Sequence, residues 1–384
     1  MVGSAFLELL GATGRLVGAG EAAAAQLLAA TDGLLADDLL AVTVGSGHLD
    51  RGDARLDRAA SSVVGRLVAC VVLVVHRPGV PRRSRSFPSG LGTVAAVARP
   101  ELRHPGNVDG AWYVDERCID CGTCRDLAPG TFAVAGPQSV VASQPSDPEA
   151  EQGAWLAAQA CPTQSIGTLD RRRRPGRLYP WRLLEGVYDL GYTSPDSFGA
   201  SAYLAVRDGG GLLVDSPRFA PALVRAVEEL GGVAEVLLTH RDDVADAERW
   251  AQHFGARVWV HEHDRSAARF ASDLVRGLEP VEVVPGVVCV PVPGHTRGSV
   301  VWVVGEVAFT GDSLAWSHER HDLTAFKGAC WYSWPAQLAS LERLAAAARL
   351  SWVLPGHGGR CQLPPDELHD RLLALVARER LTAA

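Results

Sequence analysis

From residue 180 onward the apolar positions follow two periods. Residues 186–191 and 200–206 read as strands, and Asp208-Gly209-Gly210-Gly211 marks a hairpin turn before a further strand at 212–215. Residues 221–230 repeat their apolar positions every three to four residues, as a helix with one buried face does. A short apolar run at 236–239, a second helical stretch at 246–254 and a strand at 258–260 continue the series. Valine-rich runs at 287–292 and 300–304 predict two more strands, and 337–349 and 365–380 predict amphipathic helices. Strands and helices in this order predict a layered α/β (α+β) domain with helices on both outer faces.

Residues 1 to about 100 follow a different rule. They contain no Trp, Tyr or Lys, their only aromatic residues are Phe6 and Phe87, and all ten Trp lie beyond residue 110. Aromatic side chains supply much of a core's buried area, so this segment is poorly equipped to build one. Residues 21–30 are compatible with helix, 71–75 with a strand, and 78–86 with unstructured linker. Residues 1–104 are therefore expected to form a poorly structured extension. A sharper alternative is that natural translation begins near Val97 and the residues before it are an artefact. Residues 105–170 form a second segment, the arginine run from Arg171 to Arg174 with Pro175-Gly176-Arg177 predicts a solvated linker over 171–179, and 180–384 is the layered domain.

Composition narrows the choice. With 47% apolar residues the 384-residue chain can bury a sizeable core, and a net charge of −7 argues against general nucleic-acid affinity. The longest apolar run, 67–75, falls far short of the ~20 residues that a membrane helix needs. The N-terminus has no positive region before its apolar stretch, so export is not expected, and a cytoplasmic location is. Cys70, Cys289, Cys330 and Cys361 show no framework spacing and are expected to be reduced and inert.

The other four cysteines do show spacing. Cys118, Cys121 and Cys124 stand three apart, and Cys161-Pro162 follows 37 residues later. Three thiolates on one tight loop with a distant Cys-Pro form the ligand pattern of a cubane iron–sulfur cluster. Structural zinc more often takes two separated Cys-x-x-Cys pairs, and disulfides require an oxidising compartment. Residues 105–170 resemble a bacterial-type ferredoxin, through Cys118-Ile119-Asp120-Cys121-Gly122-Thr123-Cys124 and then Ala128-Pro129. In two-cluster ferredoxins the residue before that proline is a cysteine; here it is Ala128, and Glu151, Ala154 and Ala157 stand where a second triplet belongs. The resemblance therefore implies a single [4Fe–4S] cluster.

A second constellation sits after the predicted strands: Thr239-His240-Arg241-Asp242-Asp243, Pro293-Gly294-His295-Thr296-Arg297-Gly298-Ser299, Thr310-Gly311-Asp312-Ser313 and Pro355-Gly356-His357-Gly358. Each sets His or Asp beside glycine, so a ligand can be presented on a sharp turn. Imidazole and carboxylate suit borderline divalent metals. Residues 180–384 resemble the metallo-β-lactamase fold, an αββα sandwich with a mono- or dinuclear metal site. The resemblance implies that His240, Asp242 and His295 hold one ion, that Asp312 bridges and that His357 helps hold the second, the metal being zinc or iron. The family's usual first motif is HxHxDH, whereas this chain has Asp242 at the second histidine and only Asp246-Ala247, two residues late, for the Asp-His pair.

Asp242 and Asp246 are four apart, so a helix starting there would align both carboxylates. Asp246 is accordingly expected as a metal ligand and proton acceptor, and Asp243 as a helix cap. His261 and His263 are candidates to compensate for Ala247. His318 and His321 are expected in solvent, and Trp331, Tyr332 and Trp334 packed beneath the helix at 337–349. Specificity is expected from the loops 264–278 and 317–334.

Three activities are compatible with these features. The first is metal-dependent hydrolysis of a small-molecule ester, thioester, amide or phosphoester. The second is an iron-dependent redox reaction on oxygen, nitric oxide or a sulfur species, in which the cluster feeds electrons to the metal or senses redox state, with a redox partner protein as a candidate partner. The third is a non-catalytic ferredoxin scaffold. No nucleic-acid or membrane partner is expected.

Overall fold

The computed structural model describes residues 98–170 and 175–381. The expectations for residues 1–97, for the run from Arg171 to Arg174 and for Cys70 lie outside the described residues. No helix among the described residues is long and apolar enough to cross a membrane.

The cysteine-bearing segment contains β1 (Trp112–Val114), the short helix α1 (Thr123–Leu127), the hairpin β2 (Phe132–Ala135) and β3 (Gln138–Val141), the helix α2 (Pro148–Ala160) and β4 (Ile166–Thr168). β4 returns antiparallel to β1, setting Tyr113 opposite Gly167. α2 begins where it does because the Asp147 carboxylate accepts the Ala150 N–H at 2.9 Å and Pro148 occupies the first turn. Trp112, Val114, Phe132, Val141, Ala154 and Ile166 form one small core together with Cys124 and Cys161.

Residues 98–104, assigned from sequence to the extension, belong to this segment instead. Ala98 is buried and its carbonyl accepts the Tyr113 hydroxyl at 2.8 Å. The Arg99 N–H donates to Asp115 Oδ2 at 2.8 Å, and Arg103 bridges to Asp115 in the backbone. Asp115 is completely buried, so its carboxylate requires these donors and the Arg117 guanidinium, 2.6 Å away.

The larger segment follows in the order β5 (Trp181–Leu184), β6 (Val187–Asp189), β7 (Tyr203–Ala205), β8 (Gly211–Val214), α3 (Pro221–Glu229), β9 (Val233–Leu237), α4 (Ala247–Phe254), β10 (Arg257–His261), β11 (Asp273–Val275) and β12 (Val281–Val284). It continues with β13 (Val287–Pro291), β14 (Val300–Val304), β15 (Val307–Gly311), β16 (Ala315–Ser317), β17 (Asp322–Thr324), α5 (Trp334–Ala347), β18 (Trp352–Pro355), β19 (Cys361–Gln362) and α6 (Pro365–Leu381). One sheet has the order β11-β10-β9-β8-β7-β6-β5 and the other β12-β13-β14-β15-β18-β19.

Strand alternation sorts the side chains into layers. Tyr203, Ala205, Leu212 and Val214 face Val300, Trp302, Phe309 and Leu354 across the space between the sheets. Their neighbours Leu204, Leu213 and Val236 point outward beneath Leu223, Val227 and Trp250 of α3 and α4. Val301, Val303 and Val353 point outward beneath Leu338, Leu341 and Leu372 of α5 and α6. The result is the α/β/β/α sandwich expected from the sequence. Polar tips of two core aromatics also tie the sheets together: Trp302 Nε1 donates to the Leu238 carbonyl at 3.0 Å and the Tyr203 hydroxyl to the Pro355 carbonyl at 2.6 Å.

Two boundaries moved for local reasons. α5 starts three residues earlier than its apolar period indicates, because Ser333 Oγ accepts the Ala336 N–H at 3.3 Å and Pro335 fits the first turn. The linker expected over 171–179 is not solvated throughout: Leu178 and Tyr179 are buried, and the Tyr179 hydroxyl donates to the Leu156 carbonyl of α2 at 3.2 Å. Leu156 and Ala160 of α2 thereby join the core under α3 and α4.

Asp115 gives a test of the small segment. Burial raises its pKa, but the Arg117 guanidinium and the Arg99 and Arg117 N–H groups prevail and hold it below the ordinary carboxylate value of 3.8. A carboxylate lowered on folding contributes stability above the unfolded value and loses it as pH falls through the folded one. Asp115→Ala is therefore expected to destabilise the cysteine-bearing segment by about 1–3 kcal/mol at neutral pH, and by less as the pH drops well below 4, in denaturation followed by tryptophan fluorescence.

Candidate metal centre

The thiolate cradle is built by three short devices. Asp120 and Gly122 take positive φ, 60° and 84°, which folds the loop back between Cys118 and the start of α1. α1 supplies Cys124, and α2 ends at Ala160, so Cys161 leaves the helix with φ −46° and ψ 120°. All four cysteines line one cavity with Val114, Ile119 and Ile166. The N–H groups of Asp120 and Ser139 donate to Cys118 Sγ, both at 3.4 Å, and the Ser165 N–H donates to Cys161 Sγ at 3.3 Å. Burial pushes the Cys121 thiol up to about 11. Four sulfurs converging within apolar walls, with amides already aimed at two of them, fit a cubane cluster.

The second site forms where strand ends from both sheets meet. Asp215, just after β8, accepts the Thr239 N–H at 2.8 Å and its hydroxyl at 2.9 Å, and Thr239 Oγ1 in turn lies 3.0 Å from His240 Nδ1. His295, in the turn between β13 and β14, is fixed by its N–H to Gln337 Oε1 at 2.7 Å and by Nδ1 against the Ala329 carbonyl at 2.6 Å. Each of these imidazoles is thus held through Nδ1 and directs Nε2 inward. Asp312 follows β15 and His357 follows β18; His357 Nδ1 lies 2.9 and 3.1 Å from the two Asp312 oxygens.

The distances make one cluster. His295 Nε2 is 3.3 Å from Asp242 Oδ2 and 3.7 Å from Asp312 Oδ2, while His240 Nε2 is 3.9 Å from Asp312 Oδ2. Two overlapping trios, His240 with Asp242 and His295, and His240 with Asp243 and Asp312, each have ligand atoms within 4.8 Å of one another. Among the described residues, His240 Nε2, His295 Nε2 and Asp243 Oδ2 are buried without a hydrogen-bond partner. Leaving such atoms unpaired is costly, and a cation held by either trio would offset part of that cost, so the donor sets fit a divalent metal. Glycine keeps the space open: a Cβ on Gly356 would lie 2.8 Å from Asp243 Oδ2 and 2.9 Å from Asp312 Oδ1.

Electrostatics follow burial. Burial brings His240 down to about 4, and burial together with the neighbouring Asp312 lifts Asp243 well above the usual carboxylate range. Burial alone would lower His357, but the Asp312 carboxylate prevails and raises it to about 10.

Asp246 is not part of this cluster. Its Oδ2 accepts the Phe219 N–H at 2.7 Å and its Oδ1 faces Arg249 at 3.5 Å. Helix α4 begins only at Ala247, after a turn with Ala245 at φ 37°, so Asp242 and Asp246 never share a helix face. Asp243, expected as a helix cap, caps nothing and points inward at 1% exposure. The signal for Asp243 was its position three residues after His240, but adjacent acids in one short motif cannot be separated without the path of the turn. His261 is spent on backbone, through Nε2 to the Gly277 carbonyl at 3.0 Å and Nδ1 accepting the His263 N–H. His263 lies in the pocket wall, outside both trios.

The pocket over the cluster has a volume of about 1240 Å³. Trp331 and Tyr332, expected to pack beneath α5, are 69% and 51% exposed and instead line the pocket, together with Phe198, Phe326, Arg241 and Arg297. His321 is exposed as expected, but His318 Nε2 is buried, 4.0 Å from Asp126 of α1.

Residues 114–168 match the family described as the 4Fe-4S single cluster domain of Ferredoxin I. With the two-sheet sandwich and its four strand-end motifs, that match decides the architecture. The chain joins a segment similar to a 4Fe-4S ferredoxin domain to a sandwich with the layer order of the metallo-β-lactamase fold. Among curated proteins, a hydroxyacylglutathione hydrolase from Fuscovulum blasticum is 30% identical over 151 residues, 38% of this chain, and the chain spans only 56% of that relative's length. The uncharacterized protein YmaE of Bacillus subtilis (strain 168) is 24% identical over 203 residues, 48% of this chain and 72% of its own. Among solved structures, ETHE1 from Myxococcus xanthus is 20% identical with a TM-score of 0.38, covering 50% of this chain and 84% of its own. The metallo-beta-lactamase FIM-1 from Pseudomonas aeruginosa, in a mono-zinc form, is 17% identical with a TM-score of 0.40, covering 52% and 94%.

The two aspartates of the metallo-β-lactamase-fold domain give opposite expectations. Asp243→Ala is expected to lower the bound divalent metal per chain, measured by elemental analysis after dialysis, while leaving the cluster iron in place. Asp246→Ala is expected to keep the metal content and to cost about 1–3 kcal/mol of stability through the unpaired Phe219 N–H.

Proposed function

We propose that the chain is a metal-dependent hydrolase acting on a small anionic acyl or phosphoryl ester or thioester. The observation that carries this reading is the pair of overlapping trios that share His240, one with Asp242 and His295 and one with Asp243 and Asp312, beside an open pocket lined by Asp242, Asp243, His295 and Asp312. His240, Asp242, His295 and Asp312 would hold one ion, and Asp243, Asp312 and His357 a second. When bound, a divalent ion supplies Lewis acidity, bringing the pKa of water from 15.7 to about 7.

The protein groups supply the rest. Asp243, buried and kept ionised once a cation is bound beside it, would take a proton from attacking water, the role that sequence gave to Asp246. The Ala329 carbonyl fixes the His295 tautomer, and Thr239 with Asp215 fixes His240, so neither ring must reorganise during turnover. Trp331 and Tyr332 offer an apolar wall for the substrate's body, and Arg297, exposed at the same pocket, a cation for its anionic end. Similarity over part of its length to a hydroxyacylglutathione hydrolase favours a thioester within this class.

A second reading, iron-dependent redox chemistry, is favoured by the three carboxylates among the ligands, which suit a harder ion. Quantifying iron, zinc and sulfide on anaerobically purified protein separates the two. Four iron and four sulfide per chain with added zinc is the expected result; iron well beyond four transfers the case to redox. Turnover of thioester, ester, lactone and phosphodiester substrates by the metal-loaded chain tests hydrolysis itself, and its absence across that panel would overturn the proposal. Within it, Arg297→Ala is expected to raise KM for anionic substrates about tenfold with little change in kcat, as loss of a ground-state contact does.

A further inference from the structure

The cysteine cradle and the metal pocket are joined by a single turn, residues 194–200, which is clamped at both ends. On the cradle side, Thr193 donates through its N–H and its hydroxyl to the Ala160 carbonyl, at 3.1 and 2.8 Å, directly beside Cys161. Thr123, two residues after Cys121, donates its hydroxyl to the Gly199 carbonyl at 2.7 Å and also lies 3.3 Å from Cys121 Sγ. Gly199 is pressed so close to Cys121 that a Cβ there would lie 2.7 Å from its Cβ and 2.8 Å from its Sγ. On the metal side, the Phe198 carbonyl faces His357 Nε2 at 3.3 Å, and the Ser201 N–H donates to the Gly356 carbonyl at 2.8 Å.

The turn has little freedom to absorb movement. Phe198 and Gly199 both take positive φ, 49° and 88°, a conformation that costs Phe198 energy and persists only where surroundings hold it. The close approach of Gly199 to Cys121, the backbone bonds to the Phe198 carbonyl and its contact with His357 together put Cys121 Sγ within roughly 12 Å of His357 Nε2. A displacement or charge change at one end is therefore met at the other by only two residues of backbone.

We propose that this turn is a positioning element through which the state of the cluster sets His357, and hence the affinity of the Asp312–His357 side of the metal centre. Gly199 and Thr123 are its positioning residues on the cradle side and Phe198 on the metal side. The inference does not depend on hydrolysis. By linkage, whatever the reduced cluster does to metal affinity, bound metal does to the cluster's reduction potential.

The test loads the pocket of the full, cluster-containing chain with cobalt(II), whose visible spectrum reports its ligands. Dithionite adds one electron to the cluster and none to cobalt(II). The expected result is a change of about fivefold or more in cobalt dissociation constant between oxidised and reduced cluster, mirrored by a midpoint shift of about 40 mV when cobalt is bound. Thr123→Ala, which removes the clamp while leaving every ligand residue in place, is expected to shrink both effects while iron, sulfide and cobalt contents stay unchanged. Gly199→Ala is expected to alter the cluster's EPR signal and the cobalt spectrum together. Identical cobalt affinity and spectrum in both redox states, with an unmoved midpoint, would overturn the proposal, as would full coupling in Thr123→Ala.

Discussion

Two imidazole nitrogens and a carboxylate oxygen lie buried in a two-sheet sandwich without a hydrogen-bond partner among the described residues. A protein interior tolerates such atoms only where something else completes them. Much of the surrounding structure keeps them in that condition. Asp215 and Thr239 occupy the far nitrogen of His240, Ala329 that of His295, and Gly356 leaves the space that a side chain would fill. The sandwich makes this possible because its strand ends bring distant parts of the chain to the same rim.

The same rim is where the ferredoxin domain docks. Its helix α2 is not a separate body: Leu156 and Ala160 share the core under α3 and α4, and Tyr179 reaches back to the Leu156 carbonyl. On the other side, Asp126 of α1 faces His318, and Thr123 holds the turn that carries Phe198 into the pocket wall. One wall of the metal pocket is thus built by a segment whose shape the cysteine loops help to fix.

Much of this was legible in the sequence. The period of apolar residues placed the main strands and helices of the sandwich, because each must bury one face and expose the other. The cysteine spacing was equally readable, since three thiols on one short loop can converge regardless of context. The four strand-end motifs carried His240, Asp242, His295, Asp312 and His357, each on a sharp glycine-rich or polar turn.

What sequence determined, then, were features fixed by local geometry: alternation, spacing and turns. The exchange of Asp243 for Asp246 was not among them. Where an acid points after a strand depends on the path of the turn at Ala245 and on the Phe219 N–H, which lies 27 residues away and claims Asp246. Trp331 and Tyr332 likewise became a pocket wall because their N–H groups hydrogen-bond the His295 carbonyl, a contact across the fold. The approach of Gly199 to Cys121 was invisible for the same reason. Contacts between residues far apart in the chain are set by how whole layers pack, and only the folded structure decides them.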